Sequence, residues 1–244
     1  MTNQNNPASR LHSILTKSKL GQFRQHSAMK MWAEVFEIDL EEPSGDTLLI
    51  VQLANLRGLV DDVKSKVLAE EVKNSLYLKH FDKIEAATRF DQLGAAWSGS
   101  ENQLTEAAMD GLEHCAELLS KSYAESDISE EILAIKDNVD ELSEEVLASD
   151  LDPEIRDFIL KELEMIRRGI FDYRTRGAAG LKDSIAMAVG TIVMVQGVPK
   201  PGNDNGFYAK TKKIILEIDG LVSTAQRMTA VAAPVVRQAL EHFG

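Results

Sequence analysis

The chain has 244 residues, 44% of them hydrophobic and 27% charged, with a net charge of -12. That is length enough to bury one large core or two modest ones, in the composition of a soluble globular protein. The acidity excludes a general DNA- or RNA-binding role, because neutralising phosphates requires a basic face.

Prolines number six, all outside the strongest periodic stretches except Pro234, and aromatics are few. This pattern favours helices over a sheet. Cys115 is the sole cysteine, so no intrachain disulfide is expected and a reducing cytosol fits. The polar opening Met1 to Pro7 has no apolar core behind it, and no secretory signal is expected. No window approaches the roughly 18 uninterrupted apolar residues of a membrane span.

In chain order, Pro7 suits the first turn of a short helix carrying Leu11, Ile14 and Leu15. A second helix places Met29, Trp32, Ala33 and Phe36 on one face, and residues 41–46 form a loop. Asp46 or Thr47 then caps a long third helix. Its residues Leu49, Leu53, Leu56, Val60, Val63 and Val67 make a heptad seam. A fourth helix is expected from about Leu76 to Leu93, using Leu78, Phe81, Ile84 and Ala87 or Thr88. The small-residue stretch 94–101 is the best hinge and a soft domain boundary. A fifth helix, over about 102–123, uses Leu104, Ala108, Leu112, Cys115 and Leu119.

The next helix opens at Asp127 or Ser129 and repeats the same spacing through Ile128, Ile132, Ile135, Val139, Leu142 and Val146. It ends at Asp150–Pro153, where Asp152 as cap, Pro153 at the first helical position and Glu154 near the positive helix end agree with one another. The helix that follows carries Ile155, Ile159, Leu163, Ile166, Ile170 and Tyr173, so residues 128–176 are expected to form a helical hairpin. The apolar run Ile185–Val195 reads as a buried helix, and 197–206 as a surface loop. A last helical region spans about Phe207 to Phe243 through Ile214, Ile218, Leu221, Ala225, Met228 and Ala232, with a kink at Pro234.

Two charged features bear on function. Residues 125–154 carry twelve acidic side chains against Lys136 alone, a net of -11 and almost the whole surplus. Most fall opposite the apolar stripe, where a solvated surface belongs. Arg167, Arg168, Arg174 and Arg176, with Tyr173 among them, form the densest positive charge, followed by Gly177 and Gly180. Guanidinium pairs grip phosphates or carboxylates bidentately, which makes these five residues a candidate anion site. The competing reading is ion pairing with the acidic neighbouring helix. Histidines 12, 26, 80, 114 and 242 are scattered, no catalytic signature or cofactor motif occurs, and no metal site is indicated. Cys115 sits on an apolar stripe, as an inert core thiol does.

The run Asp152-Pro153-Glu154-Ile155-Arg156 through Ile166-Arg167-Arg168, then Asp172-Tyr173-Arg174-Thr175-Arg176-Gly177 to Leu181, resembles a group of uncharacterised bacterial all-helical proteins. The stretch Asn6-Pro7-Ala8-Ser9-Arg10-Leu11 is similar to theirs as well. The resemblance implies a bacterial cytosolic protein, is compatible with phage-defence or other conflict systems, and carries over no activity.

The expectation is therefore a single all-α domain over 1–244, an antiparallel helical bundle of about eight or nine helices. Its leading function is that of a non-enzymatic interaction or regulatory protein, with a protein partner or a homo-oligomer, and without nucleic acid or stable membrane insertion. One alternative is a sensor or enzyme binding a phosphorylated small molecule through the arginines. Another is an effector that disturbs membranes with residues 177–196.

Overall fold

The spacings above become helices in the computed structural model, which describes residues 5–194 and 206–226. Eleven α-helices and no strand occur among the described residues, an all-α fold with more and shorter helices than the eight or nine expected. By contact the chain divides into two compact units, Met1–Ala124 and Glu125–Gly244.

In the first unit α1 spans Pro7–Ser18. Its cap is reciprocal: the Asn6 side chain accepts from the Ala8 and Ser9 amides at 3.0 and 3.1 Å, while the Asn6 amide donates to Ser9 Oγ at 2.8 Å. Asn6 Nδ2 also donates to the Ala116 carbonyl at 3.0 Å, fastening this end to α7 (Glu106–Leu119). Helix α2 (Ala28–Phe36) is capped by Ser27 and stops at Glu37 in the left-handed region.

Helix α3 (Gly45–Ala69) buries the whole predicted seam, from Leu49 to Val67. It starts ahead of the expected Asp46 or Thr47 cap. A Cβ at Gly45 would lie 2.2 Å from the Asp39 carbonyl oxygen, so the chain folds back onto 39–40 only because a glycine stands there.

The single fourth helix expected over 76–93 is instead two short ones, α4 (Asn74–Tyr77) and α5 (Phe81–Ala87). The early stop after Ala87 has a non-local reason. The carbonyls of Leu93 and Ala95 each accept at 2.8 Å from the amides of Met29 and Ala28, and Trp97 donates its amide to the His26 carbonyl at 2.9 Å. These bonds draw the segment out of helix. The expected hinge and boundary at 94–101 consequently lies inside this unit, with α6 (Trp97–Glu101) starting there. Trp97 is fully buried, donates its indole N–H to the Ser18 carbonyl at 2.8 Å, and meets Trp32 edge to face at 5.2 Å.

The second unit contains α8 (Ser129–Leu147), α9 (Pro153–Arg176), α10 (Ala178–Met194) and α11 (Phe207–Gln226). Asp152 Oδ1 accepts from the Glu154 amide at 2.9 Å with Pro153 at the first helical position, as expected. Ile128, Ile132, Ile135, Val139, Leu142 and Val146 are all buried. The Ile128 amide reaches the Tyr173 hydroxyl while Asp140 pairs with Arg167, so α8 and α9 run in opposite directions. Gly177, at φ 60°, ends α9 and lets α10 turn back at once.

Close approach of α9 and α10 depends on small residues. A Cβ on Gly169 would come within 2.5 Å of Ser184 Cβ, and one on Gly180 within 2.9 Å of Arg176 Cβ. From α10, Leu181, Ile185, Ala188 and Val189 enter the core, whereas Met187 faces outward. Helix α11 contributes Ile214, Ile215, Ile218, Val222 and Ala225. The loop expected at 197–206 lies outside the described residues except for Gly206, as do Val195, Met228, Ala232 and the kink expected at Pro234. No helix of the described residues is long and apolar enough to cross a membrane.

Candidate functional site

The five residues singled out for anion binding sit on the last three turns of α9, and its packing separates them. Arg167 turns toward α8. Its Nε and Nη2 donate to Asp140 at 2.9 and 2.7 Å, Nη1 to Glu164 at 3.1 Å, and Nη2 also to Ser143 Oγ at 3.3 Å. Arg168 extends into solvent and meets the same Glu164 at 3.0 Å. Arg176 turns instead toward α10, where it pairs with Asp183, and it also lies 4.0 Å from Asp172 one turn back on α9.

Tyr173 is buried, its hydroxyl accepting the Ile128 amide at 3.4 Å, so it serves the hairpin from within. Arg174 is half-buried. Arg167 and Arg168 thus come together on Glu164, Arg176 stands apart from them, and carboxylates engage all three guanidiniums. An incoming anion would have to displace these carboxylates, at the cost of three or more charge-assisted hydrogen bonds.

The Asp140 carboxyl would be pushed up by burial. The hydrogen bonds and charges of Lys136 and Arg167 outweigh that and hold it below the ordinary carboxylate range. Burial likewise works against the charge on Arg167, but Asp140 and Glu164 hold its guanidinium above its usual value. The two positions belong to one network, in which Lys136 also reaches Asp140 at 2.9 Å.

That network floors an open groove of about 500 Å³ between α8 and α9. Leu147 and Leu160 line one end of it. Its polar lining has three carboxylates, of Asp140, Glu144 and Glu164, against the one guanidinium of Arg167, with Ser143 between. Leu147 is 60% exposed and Leu133, two helical heptads earlier on α8, is 58% exposed.

One chemically unusual residue escaped the sequence reading. Glu162 is 1% exposed, and neither carboxylate oxygen has a hydrogen-bond partner. Burial alone pushes its carboxyl up to about 7. The signal was in the spacing: Ile155, Ile159, Glu162, Ile166, Gly169 and Tyr173 follow the four–three rule as well as the stripe through Leu163 and Ile170 does. Both registers face the interior, because α9 packs against α8 on one side and α10 on the other. Among the described residues, no group of histidine, cysteine, aspartate and glutamate is arranged to hold a metal ion. Cys115 is buried, its thiol directed at the Tyr77 carbonyl at 3.6 Å, and burial raises it to about 11, far from a reactive thiolate.

Compared with protein-family models, curated proteins and solved structures, the chain gives no match.

Proposed function

We propose that the protein is a non-enzymatic helical interaction or regulatory module, working in the bacterial cytoplasm as a subunit of a complex. The observation that supports this most is the outer side of α8. This helix spends its whole Ile132–Val146 stripe on the core, yet keeps Leu133 and Leu147 in solvent amid Glu130, Glu131, Asp137, Glu141, Glu144 and Glu145. Large aliphatic side chains held on a rigid, charged helix surface suit a partner that covers them.

The arginine reading has weaker support, since Arg167, Arg168 and Arg176 already have carboxylate partners. A membrane-disturbing role for 177–196 would require withdrawing Leu181, Ile185, Ala188 and Val189 from the core. At about 25 cal/mol per Å² of apolar surface, this costs several kcal/mol.

The test is mass measurement by light scattering and native mass spectrometry on the tagged full chain purified from its own host. A defined complex with a second protein, or a stable oligomer, is the expected result. A monomer that carries no partner at any concentration tested refutes the proposal.

A further inference from the structure

Resting on the interaction reading, we infer that the α8/α9 groove docks a basic amphipathic segment, with an aliphatic side chain seated between Leu147 and Leu160 and lysines or arginines over Glu144 and Glu164. Three features converge on that occupant. The groove has an apolar end and a carboxylate-rich wall, the pattern that receives a helix or extended peptide bearing both aliphatic and basic groups. The wall is unevenly neutralised. Arg167 and Lys136 are spent on Asp140, and Arg167 and Arg168 on Glu164, whereas Glu144 is exposed and enters no ion pair among the described residues. Finally, the surrounding stretch 125–154 carries a net charge of -11, out of -12 for the whole chain. Its field draws a basic partner and repels an acidic one.

The face of α8 that walls the groove continues past it to Leu133. Leu133, Lys136, Asp140, Glu144 and Leu147 follow one another at three, four, four and three residues, so they lie along one face of α8. At 1.5 Å per residue the two leucines are about 21 Å apart, the span of a docked helix of about 14 residues. Aliphatic contacts at Leu133 and Leu147 with charge between them fix register, and the arrangement disfavours a uniformly apolar partner, which would leave Glu144 desolvated and unpaired.

The probe is a fluorescein-labelled synthetic peptide of leucine and lysine at helical spacing, about 18 residues long, titrated with the full chain and followed by anisotropy. Two companion peptides replace its lysines by glutamate or its leucines by serine. The leucine–lysine peptide is expected to bind and both companions to fail. Leu147→Ser should weaken binding about tenfold, as loss of an anchor does. Glu144→Gln should weaken it about threefold and flatten its salt dependence, while Glu131→Gln, on another side of α8, leaves it unchanged.

Leu147, Glu144 and Glu131 are all exposed, so circular dichroism should report intact helices in each variant. Lack of binding by the leucine–lysine peptide overturns the assignment. So does binding that ignores Leu147→Ser, or one that Glu131→Gln weakens as much as Glu144→Gln, either of which reduces it to diffuse charge attraction. If a partner copurifies with the chain and stays bound to the Leu147→Ser, Glu144→Gln double variant, the interaction reading stands and this groove is the wrong surface.

Discussion

Replacing Glu162 by glutamine removes a titration from the interior of the second unit without changing the side chain's size. In the folded chain the Glu162 carboxyl keeps its proton to about pH 7, because the ionised form would be stranded with no partner on either oxygen. In the unfolded chain it loses that proton near 4.5, the ordinary value. Between these limits the unfolded state binds fewer protons than the folded one, so stability falls as pH rises.

At 1.36 kcal/mol per pH unit, the interval from 4.5 to about 7 amounts to about 3 kcal/mol, absent in acid and complete above neutrality. Glutamine has no such titration. Urea unfolding followed by far-UV circular dichroism, from about pH 4 to about pH 8, gives both stability curves. Other titrating groups contribute alike to both proteins and cancel in the difference. Glu162→Gln should gain on the wild type by about 3 kcal/mol across the range. Glu162→Leu should be more stable than wild type at about pH 8, where the buried charge is gone and the core gains apolar volume. Curves that stay parallel across the range would mean that Glu162 is ionised at low pH and has a partner, which refutes the reasoning.

Gly169→Ala should lose about 1–3 kcal/mol despite alanine's higher helix propensity, because its Cβ would meet Ser184 Cβ at 2.5 Å. Adding Ser184→Gly should restore much of that loss in the same urea titration. For Arg167 and Asp140, both more than a third exposed, a double-mutant cycle to alanine should give a coupling of only about 0.5–1 kcal/mol that shrinks with added salt. A cycle several times larger would mean that the network is screened from water. Held below the ordinary range, Asp140 contributes its pairing above that range and loses it as pH falls through its folded value. Asp140→Asn should therefore lie closest to wild type in acid. Cys115, with its thiol raised to about 11, should react with a disulfide reagent near neutral pH only as fast as the first unit opens. Rapid stoichiometric labelling of the folded chain would contradict its burial.

What could be read from the sequence was whatever depends on local periodicity. The seams of α3 and α8 follow from helix geometry alone, and each predicted position in them is buried. The Asp152–Pro153 cap is equally local. The split of the expected fourth helix was not legible, because Phe81, Ile84 and Ala87 keep the same spacing whether or not the chain breaks at 78–80. The bonds that pull 93–97 away from helix come from residues about 65–70 positions earlier, and no window on the chain contains both partners.

The arginine cluster was visible as composition, but its division was not. Whether Arg176 joins Arg167 or Asp183 is settled by the turn at Gly177, which brings α10 alongside. Glu162 was hidden by its own chemistry, since a carboxylate at a seam position reads as polar surface until the second packed face of α9 is known.

Both tryptophans of the chain, Trp32 and Trp97, stack edge to face in the first unit, and the second unit has none. Indole emission is therefore a reporter on one half of the molecule, whereas the helical dichroism signal sums over both. Recording the two side by side in a single urea titration turns the chain into its own differential instrument. If the emission transition coincides with the dichroism transition, the units unfold as one cooperative body. If they part, and only the dichroism step moves as pH rises from 4.5 to about 7, the step belonging to Glu162 is identified without attaching any label.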